Sequence, residues 1–127
     1  MTIIRLERDV VRAIYFLASQ FAEGRQGCPS RALDRVEECL ASPAEDVAHL
    51  AADLAVAVLR ERVFPIANTQ TAWLLAHTLL SVNGHAVQLE QTDAVFLMLD
   101  VQRGAIGRRQ LAAALKYGRN IPVETAA

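Results

Sequence analysis

The residues best placed to do chemistry lie at the start of one apolar segment, in the run Arg62-Val63-Phe64-Pro65-Ile66-Ala67-Asn68-Thr69-Gln70-Thr71. Pro65 blocks a regular helix, and Asn68 is suited to cap a new one whose first turn holds Thr69, Gln70 and Thr71. A helix start presents backbone N–H groups without intrahelical partners at the positive end of the macrodipole, which is the arrangement that binds phosphate and other anions. With Arg62 upstream, the candidate anion-binding set is Arg62, Phe64, Asn68, Thr69, Gln70 and Thr71. The competing reading is structural: a buried helix start capped by Asn68, with Arg62 on the surface.

Other chemistry-bearing residues offer less. His77 lies nine residues beyond Asn68, roughly 13 Å along a helix axis, so it reads as a core histidine. His85, after the Asn83-Gly84 turn, reads as solvated, and His49 has no evident catalytic neighbour. Cys28, Cys39 and His49 lack the paired spacing and the fourth ligand of a zinc site. The basic residues Arg103, Arg108, Arg109, Lys116 and Arg119 gather near the C-terminus as a solvated face or, alternatively, a nucleic-acid patch.

The elements that must position the loop follow from periodicity. A first helix is expected from Ile4 to Glu23, burying Leu6, Val10, Ala13, Ile14, Leu17, Ala18 and Phe21, and ended by Gly24. Ser30 is expected to cap a short helix to Leu40, with Leu33, Val36 and Leu40 inward. Ser42-Pro43-Ala44-Glu45 has the form of a helix start, leading a third helix to Glu61 with Val47, Leu50, Ala51, Leu54, Val58 and Leu59 inside. The fourth helix runs from Asn68 to the Asn83-Gly84 turn, followed by an extended piece from His85 to Leu89. A fifth begins near Thr92, carrying Val95, Phe96, Met98 and Leu99, and a sixth spans Arg108 to Tyr117, closed by Gly118.

Composition supports this plan. The chain has 127 residues, 53% hydrophobic and 6% aromatic, favouring closely packed helices over a sheet rich in aromatic and β-branched residues. The expected fold is therefore all-α: a single-domain bundle of about six helices around a buried central one, over residues 1–119, with a loosely held tail from Asn120 to Ala127. A formal net charge of −1 gives no general attraction to nucleic acid or anionic lipid. No Asp, Glu, Lys or Arg occurs between Val63 and Leu89, but Pro65, Asn68, His77 and Asn83-Gly84 interrupt that segment short of the roughly 20 apolar residues a membrane span needs. Two cysteines without a hydrophobic leader point to reduced thiols and a cytoplasmic location.

The run Arg62–Thr71, with Ala72 and the later Asn83-Gly84, resembles the Fic/Doc (fido) family, most closely the small Doc-type (death-on-curing) toxins of bacterial toxin–antitoxin pairs. Phe64, Ala67, Asn68, Thr71, Ala72, Asn83 and Gly84 fall in that family's motif frame without a gap. The Gly-rich turn before Pro29 and the run from Gly104 to Gly118 follow in similar order. In the family, a motif histidine accepts the proton of an attacking protein hydroxyl, a motif acid binds the magnesium of ATP, and basic residues clamp the transferring group. The resemblance places Arg62 in the histidine slot, Ile66 in the acid slot, and Thr69 and Gln70 where the clamp would be. Arginine stays protonated and isoleucine offers no oxygen ligand.

The resemblance thus implies a catalytically degenerate Doc-like protein without cofactor or metal, serving as a protein-binding or regulatory module. Its partner would be a protein, such as an antitoxin-like segment folding into a groove between the helices. The alternative it implies is an active transferase moving phosphate or AMP from ATP with magnesium onto a protein hydroxyl. Ser19-Gln20-Phe21-Ala22-Glu23-Gly24 also matches the inhibitory-helix pattern of some Fic proteins. That helix acts on a motif arginine which has no counterpart after Asn68, so a plain helix end is expected.

Overall fold

Periodic apolar stripes separated by glycine, proline and capping residues become six helices in the computed structural model, which describes residues 2–20, 22, 24 and 26–118. These are α1 (Arg8–Ser19), α2 (Ser30–Ala41), α3 (Val47–Glu61), α4 (Asn68–Val82), α5 (Gln91–Gln102) and α6 (Arg108–Tyr117), with no strand among the described residues. The protein is an all-α bundle. No helix of the described residues is long and apolar enough to cross a membrane.

The centre is the antiparallel pair α3 and α4. Helix α3 packs against α2, α4, α5 and α6, and α4 packs against α1, α3 and α5. Alanines make that close approach possible: Ala48, Ala51, Ala52, Ala55, Ala72 and Ala76 are all buried, and larger side chains such as Leu50, Leu54, Leu75 and Leu79 fill the remaining space. Small and large residues alternating across the contact give density without strained rotamers. The residues expected inside α2 and α3 are the buried ones.

Several helix starts differ from expectation, each for a local reason. Helix α1 begins at Arg8, because the segment before it is extended and strapped to the end of α4: the Ile4 N–H donates to Asn83 Oδ1 (2.7 Å), and Asn83 Nδ2 donates to the Ile4 carbonyl (2.8 Å). The expected end at Glu23, with Phe21, lies outside the described residues, as does the tail from Asn120. Ser30 is the first helical residue of α2, and Pro29 holds its cap position. Ser42 terminates α2, its hydroxyl donating to the Glu38 carbonyl at 3.1 Å, so it cannot start α3. Asp46 caps α3 instead, accepting from the His49 N–H at 2.9 Å.

The inward face of α1 is also corrected. On α1 the buried residues are Val11, Ile14, Tyr15 and Ser19, whereas Val10, Ala13 and Leu17 face outward. Tyr15 decides this rotation: its ring stacks on Phe64 with centroids 4.8 Å apart, and its hydroxyl donates to the Gln26 carbonyl. On α5 the packed face is Ala94, Met98 and Val101, leaving Phe96 63% exposed and Leu99 at the surface.

The C-terminal half closes on the core through backbone contacts. Arg60 on α3 donates to the carbonyls of Val101, in the last turn of α5, and of Ile106, in the connection to α6. Gly118, at φ +69° and ψ −141°, ends α6 against the extended Gln88. A Cβ there would stand 2.6 Å from the Gln88 carbonyl oxygen, so neither the dihedrals nor the space admit a side chain. Gly118→Ala is expected to destabilise the fold by about 2–4 kcal/mol, read as a lowered midpoint in urea at unchanged slope; a midpoint within error of the wild type would contradict this packing.

Candidate functional site

The turn between α3 and α4 is built from two left-handed residues that are not glycine: Arg62 at φ 49° and Ala67 at φ 57°. Side chains enter this region at a cost, and it persists where the surroundings enforce it. Asn68 supplies the enforcement. It is the first residue of α4, with Ala67 in the cap position, and its side chain turns back over the loop rather than capping forward. Its Oδ1 accepts from the Phe64 N–H at 2.9 Å, and its Nδ2 donates to the Phe64 carbonyl at 2.8 Å. One amide thus satisfies both backbone groups of Phe64, whose ring is buried against Tyr15.

This loop borders a cleft of about 520 Å³ lined by Arg62, Phe64, Pro65, Ile66, Ala67, Asn68, Thr69, Gln70 and, from α5, Gln102. Five of the six candidate anion-binding residues are therefore brought together there. Thr71 is not: it is wholly buried, and both its N–H and its hydroxyl donate to the Ala67 carbonyl. Arg62 is exposed: its backbone N–H donates to the Val58 carbonyl, while its guanidinium has no hydrogen-bond or ion-pair partner among the described residues. The side chains lining the cleft include neither carboxylate nor imidazole. What the cleft offers is one free guanidinium, the first-turn hydroxyl of Thr69, and the amides of Gln70 and Gln102, a set that can hold an anion but cannot accept a proton near neutral pH.

The histidines lie elsewhere. His77 is half-buried, edge-on to Trp73 with ring centroids 5.3 Å apart. His85 is exposed beyond the turn after α4. His49 is more engaged than the sequence suggests: Asp46 Oδ1 lies 2.8 Å from its Nδ1, and Glu45 Oε2 lies 3.4 Å from its Nε2. The signal was present as acidic residues three and four positions before a histidine at a helix start.

Glu45, Asp46 and His49 form the one group of three convergent metal-ligating side chains among the described residues. Lys116 already places its ammonium 3.1 Å from Asp46 Oδ2. Burial would raise the Asp46 pKa, but hydrogen bonds from the His49 backbone and ring and from Lys116 outweigh it and hold the carboxyl well below the usual range. The cluster is thereby satisfied as a capped helix start tied to α6. The cysteines are both free, and burial pushes their thiols up.

A second depression lies beside the loop cleft. Helices α1 and α5 both pack on α4 without touching each other, leaving a slot of about 440 Å³ lined by Leu17, Ala18, Gln70, Trp73, Leu74, His77, Leu89, Gln91 and Val95. Gln70 belongs to both depressions. The available signal for the slot was the excess of apolar residues on α1 and α5 over what one inward stripe can bury.

Scanned against protein-family models the chain matches none, and a search of curated proteins finds no match. Neither comparison identifies a Fic/Doc family, and that reading stands on the sequence resemblance alone.

Two outcomes test the geometry. Asn68→Ala strands the Phe64 N–H and carbonyl together and is expected to cost about 2–3 kcal/mol; Asn68→Asp keeps an acceptor but sets a carboxylate oxygen against the Phe64 carbonyl, so it too is expected to destabilise. Equal stability of all three proteins in denaturant would refute the clamp. For Asp46, a folded-state pKa below the unfolded value means stability that is fully present above the unfolded value of about 3.9 and lost as pH falls through the folded one. Asp46→Asn retains a capping acceptor but not the charge, so its deficit relative to wild type should be constant near neutrality and shrink below about pH 4. A deficit that grows on acidification would reverse this assignment.

Proposed function

We propose that this protein is a catalytically disarmed, Fic/Doc-like module that works by binding another protein, with no cofactor or metal of its own. The observation that carries the reading is the cleft at the start of α4. There Arg62, Ile66, Thr69 and Gln70 stand in the slots that the resemblance assigns to proton acceptor, magnesium ligand and cationic clamp, and Asn68 is engaged in holding the loop. Removing a general base alone costs on the order of 10² to 10⁴ in rate, and the metal and clamp would have to be replaced as well.

Derivation from a bacterial toxin of the toxin–antitoxin type, acting in the reducing cytoplasm, is the origin this reading favours, consistent with two unpaired thiols. The slot across α1, α4 and α5 supplies the binding surface: three helices leave open the place of a further one, the geometry of helix-in-groove recognition.

Incubation with labelled ATP, magnesium and lysate of the source cells is expected to transfer no label to protein. Reproducible labelling that disappears in Arg62→Ala or Asn68→Ala would instead establish a transferase. Titration calorimetry with ATP and with inorganic phosphate separates a retained anion site in the cleft, which would give heat at millimolar ligand, from a purely structural loop, which would give none.

A further inference from the structure

From the outer face of α5 we infer that this chain binds a second copy of itself, the two α5 helices packing antiparallel across a two-fold axis between positions 97 and 98. The inference stands apart from the protein-binding reading, which rests on the loop cleft and the slot. Where α2 faces water it presents charge, through Arg31, Asp34, Glu37 and Glu38. Helix α5 differs, with no charged residue from Ala94 to Leu99. It packs on α3, α4 and α6, burying Ala94, Met98 and Val101. The opposite face is apolar too, and its Phe96 is the most exposed large apolar side chain among the described residues. A helix apolar on every side is one built to be covered on every side.

Thr92, Phe96, Leu99 and Arg103 are all exposed and are spaced four, three and four apart, so they form one stripe about 16 Å long. The stripe is a ridge beside the slot, not a part of it. Gln91 and Val95 belong to the slot-side flank, with the half-buried His77 below them on α4, while Asp93 and Asp100 lie on the other flank. A ridge of this kind packs against a like helix with axes about 8–10 Å apart.

The stripe is complementary to itself. A two-fold axis between positions 97 and 98 sets Phe96 against Leu99 of the second copy and Leu99 against its Phe96, the reciprocal pairing of an isologous contact. The same axis carries Arg103, at the C-cap, to the opposite end of the other α5, where Thr92 is exposed and Glu90 holds the N-cap position. Arg103 already pairs with Asp100, and its guanidinium has donors to spare for a second carboxylate. A parallel pairing would set Arg103 on Arg103 and Glu90 on Glu90, so charge selects the antiparallel arrangement. One helix face per copy is a small contact, which places the dimer among weak associations.

Sedimentation equilibrium of the full chain is the test. A monomer–dimer equilibrium with a dissociation constant on the order of 10 μM is expected, weakened about tenfold or more in Phe96→Glu and in Leu99→Lys. Glu90→Arg and Arg103→Glu are each expected to weaken it several-fold, and an equimolar mixture of these two variants to restore it, because mixed pairs again set opposite charges together at both ends. A chain that stays monomeric at millimolar concentration would overturn the inference. So would a dimer indifferent to both Phe96→Glu and Leu99→Lys, whose copies must meet elsewhere. A dimer lost in those variants but no stronger in the mixture than in either charge variant alone would overturn the antiparallel pairing. Far-ultraviolet circular dichroism of each variant separates lost association from lost folding. None of these outcomes bears on the protein-binding reading, which the labelling and calorimetry above test separately.

Discussion

Two hydrogen bonds between Asn68 and the backbone of Phe64 hold the reversal from α3 to α4, and the rest of the architecture is arranged around that reversal. Helices α3 and α4 are the pair against which every other helix packs. Their antiparallel approach requires the chain to turn through left-handed conformations at Arg62 and Ala67, which neither residue favours intrinsically. The amide clamp offsets that cost within the loop. The Phe64 ring, inserted under Tyr15, extends the same constraint to the rotation of α1. A change at Asn68 therefore acts on a local turn, on the central pair, and on which face of the first helix is exposed.

The same constraint accounts for why the site has its present form. A loop held by its own side-chain amide can keep its shape while the residues facing the cleft change, since Arg62, Ile66, Thr69 and Gln70 do not make the clamp. Scaffold and chemistry are supported by different atoms. On the proposed reading, that separation is what would let a family frame persist with a guanidinium and an aliphatic chain facing the cleft. It also leaves the Arg62 guanidinium without a partner among the described residues.

Much of the fold was legible in the sequence. Helix α6 runs from Arg108 to Tyr117 and stops at Gly118 as its glycines and periodicity indicate, and α2 and α3 bury the residues their spacing selects. The failures came where two local signals competed. Ser42-Pro43 has the form of a start for α3, but the serine is engaged with the end of α2 and Asp46 caps the helix instead. On α1, Val10 and Leu17 fit a helical stripe as well as Val11 and Ile14 do; only the partner of Tyr15, nearly fifty residues away in sequence, resolves the choice. The loop residues were found because their types are unusual, whereas the groove was not, because it consists of ordinary apolar residues on three helices whose adjacency no local pattern encodes.

The clasp between Ile4 and Asn83 joins positions 79 apart in sequence. During synthesis the segment at Ile4 has no docking place until α4 has been completed. Asn83 also donates to the Leu79 carbonyl, so the far end of α4 is tied at once to its own last turn and to the segment before α1. The clasp thus joins the segment before α1 to the C-terminal end of α4, and an extension fused before Ile4 would be felt at the opposite end of the central helix from Arg62.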